Sequence, residues 1–151
     1  MAAPIRIANC SGYFGDRLSG AREMVEGGPI DFLTGDWLAE LTMLILAKTK
    51  KKRPGGGYAH TFLAQMEEVM GSCLDKDVRV VSNAGGLDPE GCAEAVQEIA
   101  TRLGLSPTIA FVRGDDLMPG IDELIARRQL HHFETGEPIE DARRFMTANA
   151  Y

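Results

Sequence analysis

Four times along this chain a short β-type run ends in a glycine-containing polar turn and passes directly into a helical pattern. That alternation limits the fold more than any other feature. "IRIANC" leads through Ser11-Gly12-Tyr13-Phe14-Gly15-Asp16 into "RLSGAREMVEGG", which Gly27-Gly28 and Pro29 stop. "IDFL" turns at Thr34-Gly35-Asp36 into "WLAELTMLILAKTKKK", whose closing cations suit a helix C-terminus. "VRVVS" turns at Asn83-Ala84-Gly85-Gly86 into "PEGCAEAVQEIATRLG", with Asp88 placed as a cap and Pro89 in the first turn. "TIAFV" turns at Arg113-Gly114-Asp115-Asp116 into "PGIDELIARRQ". Between the second and third units, "RPGGG" breaks the chain, and "YAHTFLAQMEEVMGSCLDK" carries Phe62, Leu63, Met66, Val69 and Met70 at helical spacing.

Strands that alternate with helices pair in parallel, and helices then cover the faces of the sheet. The expected fold is therefore α/β, a Rossmann-like three-layer sandwich with a mainly parallel sheet. Residues 1–151 are expected to form one such domain, since 151 residues are enough for a single core. The segment "HHFETGEPIEDARRFMTANAY" opens a further helical pattern near Pro138 and stops inside it. It reads as the front part of a longer protein, which makes the domain an incomplete one.

Composition narrows the function. A formal charge of −6 lacks the broad basic surface that phosphate neutralisation requires, so no nucleic-acid partner is expected. Cys10, Cys73 and Cys92 show neither a metal spacing nor a disulfide framework, which points to a reducing cytoplasm. The start has no secretory pattern, and the most apolar helical stretch is too short for a bilayer and contains Glu40, so no membrane is expected either.

In a parallel sheet every strand-to-helix turn lies at the carboxyl edge, where open α/β sheets bind ligands. Asn-Ala-Gly after a strand is also what a short-chain dehydrogenase places beside its nucleotide. That reading fits poorly. Gly12 and Gly15 give only Gly-x-x-Gly where a dinucleotide site wants Gly-x-Gly-x-x-Gly, and no Tyr-x-x-x-Lys is present. A P-loop and a Gly-x-Ser-x-Gly elbow are absent too, and no motif specifies a cofactor.

Taken together, "IRIANCSGYFGDR", "IDFLTGDWLAELTMLILAK", "VSNAGGLDPEGCAEAV" and "VRGDDL" resemble the acyclic terpene utilisation (AtuA-like) family, in order and at suitable spacing. "TGDWLAELTM" and "NAGGLDP" are the most specific elements, and the closing "ANAY" is similar to an internal segment of that family. The resemblance implies a role in acyclic terpene or branched-chain acyl-CoA catabolism, with a small acidic metabolite as ligand. It carries no catalytic residue with it.

The site is therefore read from the turns. Asp36 and Asp115 are the candidates for acid–base or metal-binding character. Ser11, Gly12, Thr34, Asn83, Gly85 and Gly86 are the candidates for binding the substrate, through side chains or through backbone that comes close. Each has a plainer reading as a cap or tight-turn residue. Asp36 with Glu40 is four residues apart, and Cys10 at a strand end is either a nucleophile or a neutral buried thiol. His131-His132 has no third ligand in a recognisable spacing, so no metal site is expected. "KTKKKR" (48–53) is either a grip for coenzyme A phosphates or a solvated helix end, and its chain direction places it away from the rim.

Three functions stay open. The first is a lyase or hydratase acting on an acyl-CoA or small carboxylate. The second is a non-catalytic binding or scaffold subunit, working with a partner subunit or a second copy. An NAD(P)-dependent dehydrogenase is the third.

Overall fold

The computed structural model describes residues 3–150. The chain is α/β, with an open, all-parallel sheet of Rossmann type. It divides into two compact units, with the boundary between Phe111 and Val112.

The first unit holds the sheet, built from β1 (Ile7–Asn9), β2 (Phe32–Gly35) and β3 (Arg79–Ser82) in the order β1-β2-β3. The register sets Ile7 opposite Phe32 and Arg79, and Ala8 opposite Leu33 and Val80. Helix α1 (Gly20–Gly27) connects β1 to β2; α2 (Glu40–Lys50) and α3 (His60–Asp75) connect β2 to β3; α4 (Pro89–Leu103) follows β3. Parallel strands laid down in sequential order, joined by crossovers of one hand, collect their helices on one face. Accordingly α1 packs on α3 and α3 on α4.

Alternation then divides the strand residues. Leu33 is fully buried under the helices with Val25, Trp37, Met66, Val69 and Ile99. On the opposite face Ile7 and Val81 are exposed, and the Arg79 guanidinium lies over the Phe32 ring, 5.9 Å from its centroid. A second helix layer requires the strand order to reverse, and three strands in the order 1-2-3 never do.

The helix ends follow their local chemistry. Asp88 caps α4 by accepting from the Gly91 N–H at 3.3 Å, Pro89 sits in the first turn, and Gly104 closes the helix at φ +68°. Helix α2 differs from its expected start. It begins at Glu40 rather than Trp37, after Ala39, with no side-chain cap. Trp37 is instead buried to 1% exposure and meets Phe62 edge to face at 5.2 Å.

Two expectations fail in the chain after α4. The "TIAFV" segment (108–112) forms no strand among the described residues, and Val112 is 91% exposed. Its β-branched composition suits a pleated surface, but a strand forms only where a neighbour supplies the ladder. The helix expected from Pro138 shrinks to one 3-10 turn, Ala142–Arg144, opened by Asp141 accepting from the Arg143 N–H. So short a helical turn does not propagate without an apolar face to pack.

The second unit is irregular. A 3-10 turn (Met118–Gly120) runs into α5 (Ile121–Ala126), and isolated antiparallel bridges pair Asp116 with Asn149 and His131 with Pro138.

Candidate functional site

The carboxyl edge of the sheet gathers the turns of the first unit, as parallel topology requires. Residue by residue, most of the polar groups there bond one another. The Ser11 carbonyl accepts from the Asp36 N–H (2.9 Å) and from Asn9 Nδ2 (3.0 Å). Ser11 itself is buried, and its hydroxyl donates to the Tyr13 carbonyl at 3.1 Å. The Gly12 N–H donates to Asp16 Oδ2 at 3.0 Å. That bond, with a second from the Arg17 N–H, holds the Asp16 carboxyl below its usual range. Thr34 Oγ1 turns back to the Ala8 carbonyl at 3.2 Å.

Asp36 and Asn83 form the centre of the edge. Asn83 Nδ2 donates to Asp36 Oδ1 at 2.6 Å, and Asn83 Oδ1 accepts from the Trp37 N–H at 2.9 Å. Asp36 Oδ1 also takes the Leu38 N–H at 3.0 Å. Both residues are exposed, and Asp36 Oδ2 has no hydrogen-bond partner among the described residues. The result is a carboxylate with one oxygen fixed and the other open to solvent. Asp36 is not the cap of α2, which it precedes by four residues; it closes its own turn and is oriented from the turn that follows β3.

Gly85 and Gly86 have packing reasons to be glycine. A Cβ on Gly85 would stand 2.8 Å from Pro89 Cα. On Gly86, which has φ +52°, it would stand 2.5 Å from Leu46 Cδ1 and 2.8 Å from the Gly57 carbonyl oxygen. The turn is also stitched to the segment Gly57–Ala59, since Ala59 N–H donates to the Ala84 carbonyl and Leu87 N–H to the Gly57 carbonyl.

These contacts reveal what chain direction concealed. Helix α2 does not return across a sheet face; α3 makes that crossover. Residues just before α2 meet Asn83, Leu46 meets Gly86, and Lys50 Nζ donates to the Leu87 carbonyl at 2.6 Å. Both ends of α2 therefore lie at the carboxyl edge, and its cationic end (Lys48, Lys50) is beside the Asn83–Leu87 turn. The expectation that "KTKKKR" sits away from the rim is overturned for Lys50. Sequence reasoning missed this because it treated α2 as the crossover helix.

Asp115 belongs to the second unit. Its Oδ2 accepts from Asn149 Nδ2 at 2.9 Å and its carbonyl from the Ala150 N–H at 2.8 Å. Among the described residues the pairing of a carboxylate with a carboxamide thus occurs once in each unit. Asn149, within the closing "ANAY", was not singled out by the sequence reading.

The thiols are inert by environment. Burial pushes Cys10 up to about 11 and Cys92 up to about 12, and raises Cys73. At neutral pH Cys10 is a protonated thiol near Gln65 Oε1 (3.7 Å), which serves packing and not nucleophilic attack. Among the described residues no three His, Cys, Asp or Glu side chains come together to hold a metal ion, and no helix is long and apolar enough to cross a membrane.

The fold and its edge define a Rossmann-type α/β protein with a polar rim at the strand ends. Residues 5–151 match the model of the acyclic terpene utilisation family protein AtuA, and the chain belongs to that family. No curated protein and no solved structure matches it.

Proposed function

We propose that this terpene-utilisation protein binds an acyl-CoA at the rim of its first unit and that Asp36 serves as the acid–base group, in chemistry of the lyase or hydratase type. The observation that carries the reading is the Lys50–Leu87 contact, which sets cations and the Asp36–Asn83 pair along one helix at one edge. Eleven residues of α2 span roughly 16 Å at 1.5 Å per residue. Phosphates of an extended ligand would lie toward Lys48–Arg53, and its thioester carbonyl toward Asn83.

The N–H groups of the first α2 turn have no capping side chain, and they favour a developing negative charge on that carbonyl. A base must be oriented without losing its free lone pair. Asp36 meets that demand, with Oδ1 fixed by two donors and Oδ2 open. Asn83 is then a positioning residue for the carboxylate. Asp115, held by Asn149, is the acidic candidate of the second unit and is taken by itself.

Thermal stabilisation against acyl-CoAs, free branched acids, NAD(P) and divalent cations tests the reading. A saturable rise with one acyl-CoA, weakened by Lys50→Ala and abolished by Asn83→Ala, supports it. Turnover of a substrate so identified that survives Asp36→Ala would remove the catalytic role of Asp36. Binding by free acids alone, unaffected by Lys50→Ala, would remove the coenzyme A assignment.

A further inference from the structure

Helix α2 is apolar on two faces, and only one of them is covered. Thr42, Met43, Leu46 and Ala47 form its buried inner face. That face rests on the loops of the carboxyl edge, where a Cβ on Gly56 would stand 2.5 Å from the Thr49 carbonyl oxygen and Lys50 Nζ bonds the Leu87 carbonyl. On the outer face Leu41 is 67% exposed and Ile45 37%, with Leu44 partly buried beside them. Leu41, Ile45 and Lys48 follow one another at spacings of four and three, which is one stripe of a helix. A surface helix needs a single apolar face; a helix apolar all round is one that packs on both sides.

The charges on α2 identify the second packing partner. Glu40 opens the helix and Lys48 closes the outer stripe; both are exposed, and neither forms an ion pair among the described residues. An order of acid, apolar stripe and base is complementary to itself once the helix is turned end for end. Glu40 and Lys48 each lie four residues from Leu44, about 6 Å along the axis at 1.5 Å per residue. Two copies related by a two-fold axis at Leu44 therefore set Glu40 of each against Lys48 of the other. Leu41, Leu44 and Ile45 of both fill the space between the two pairs, an isologous contact in which every interaction occurs twice.

Other occupants fit less well. An anionic lipid surface wants cations along the apolar face, and Asp36 with Glu40 places acids at one end of this one. A small apolar ligand wants a concavity, whereas this stripe is the outward surface of a helix. A parallel pair of copies would set Lys48 on Lys48.

We propose that the outer face of α2 is a dimer interface between two copies of this chain, with the helices antiparallel about a two-fold axis at Leu44. Lys48 then belongs to the interface, while Lys50 on the inner side stays beside the rim, so the inference does not rest on the acyl-CoA reading.

Sedimentation equilibrium of the full chain from about 5 to about 500 μM tests it. One helix pair with its flanks is a small interface, so the expected dimer is weak and reversible across that range. Leu41→Asp should weaken it more than about tenfold, since the change enters the contact twice. Glu40→Lys and Lys48→Glu should each weaken it about fivefold, because each alters two ion pairs. The two together should restore it, because the exchange preserves both pairs. Leu74→Asp, at the exposed end of α3, should have no effect. All of these positions are on the surface, and far-UV circular dichroism checks that each variant is folded. A monomer at every concentration overturns the proposal. So does a dimer indifferent to Leu41→Asp and to both single charge variants, or one that the double exchange fails to restore. A monomer that co-sediments with phosphatidylserine vesicles, and is released by Leu41→Asp, also overturns it, because the face would then be a lipid site.

Discussion

Replacing Gly86 by alanine separates two reasons for a glycine at the rim, and the structure says how large the effect should be. At φ +52° an L-residue pays a left-handed backbone penalty of about 1–2 kcal/mol. The new methyl then meets Leu46 Cδ1 at 2.5 Å and the Gly57 carbonyl oxygen at 2.8 Å. Leu46 can rotate aside, but the Gly57 carbonyl is fixed by its bond from the Leu87 N–H. Overpacking of this kind costs about 1–3 kcal/mol. The sum is about 2–5 kcal/mol, or a fall in Tm on the order of 4–20 °C for a chain of this size. Urea unfolding followed by circular dichroism measures it directly, with m unchanged if the denatured state is unaffected. Gly27→Ala is the control: it lies in α1 with open space around its Cβ, and should raise stability by about 0.5–1 kcal/mol. A Gly86→Ala protein within about 0.5 kcal/mol of the parent would refute the packing argument.

Two further outcomes follow from the fold. Trp37→Ala removes a ring buried to 1% exposure against Phe62, and should cost about 3–5 kcal/mol by chemical denaturation, whereas Trp37→Phe should cost distinctly less. The Arg6 side chain, through its hydrogen bonds, holds the Asp31 carboxyl down to about 2, from the usual 3.8. A carboxyl depressed on folding contributes stability that is present above its unfolded value and lost as pH falls through the folded one. Asp31→Asn should therefore flatten the stability profile between pH 4 and 2 and leave its slope above pH 5 unchanged. An unaltered acid slope would show that the pair contributes nothing.

Much of this arrangement was legible in the sequence because it rests on local rules. Asp88 and Pro89 announced the start of α4, Gly104 its end, and the spacing of Phe62, Met66, Val69 and Met70 the buried face of α3. Strand-to-helix alternation implied a parallel sheet, and parallel strands put Ser11, Thr34, Asp36 and Asn83 at one edge. Family membership was legible for the same reason, since "TGDWLAELTM" and "NAGGLDP" are contiguous. The path of α2 was not. Its cations read as distant because nothing in the residues states that α3, and not α2, crosses back over the sheet.

The residues alone determined which turns are polar, where α4 starts and ends and which face α3 buries, because propensity, capping and periodicity act within a few positions along the chain. Tertiary structure decided the rest. It left "TIAFV" without a strand partner, placed Lys50 beside Leu87 and clamped Asp36 from Asn83 forty-seven positions away. Each of these depends on a contact between segments distant in sequence, and such contacts are fixed by how whole elements pack, which no local pattern encodes.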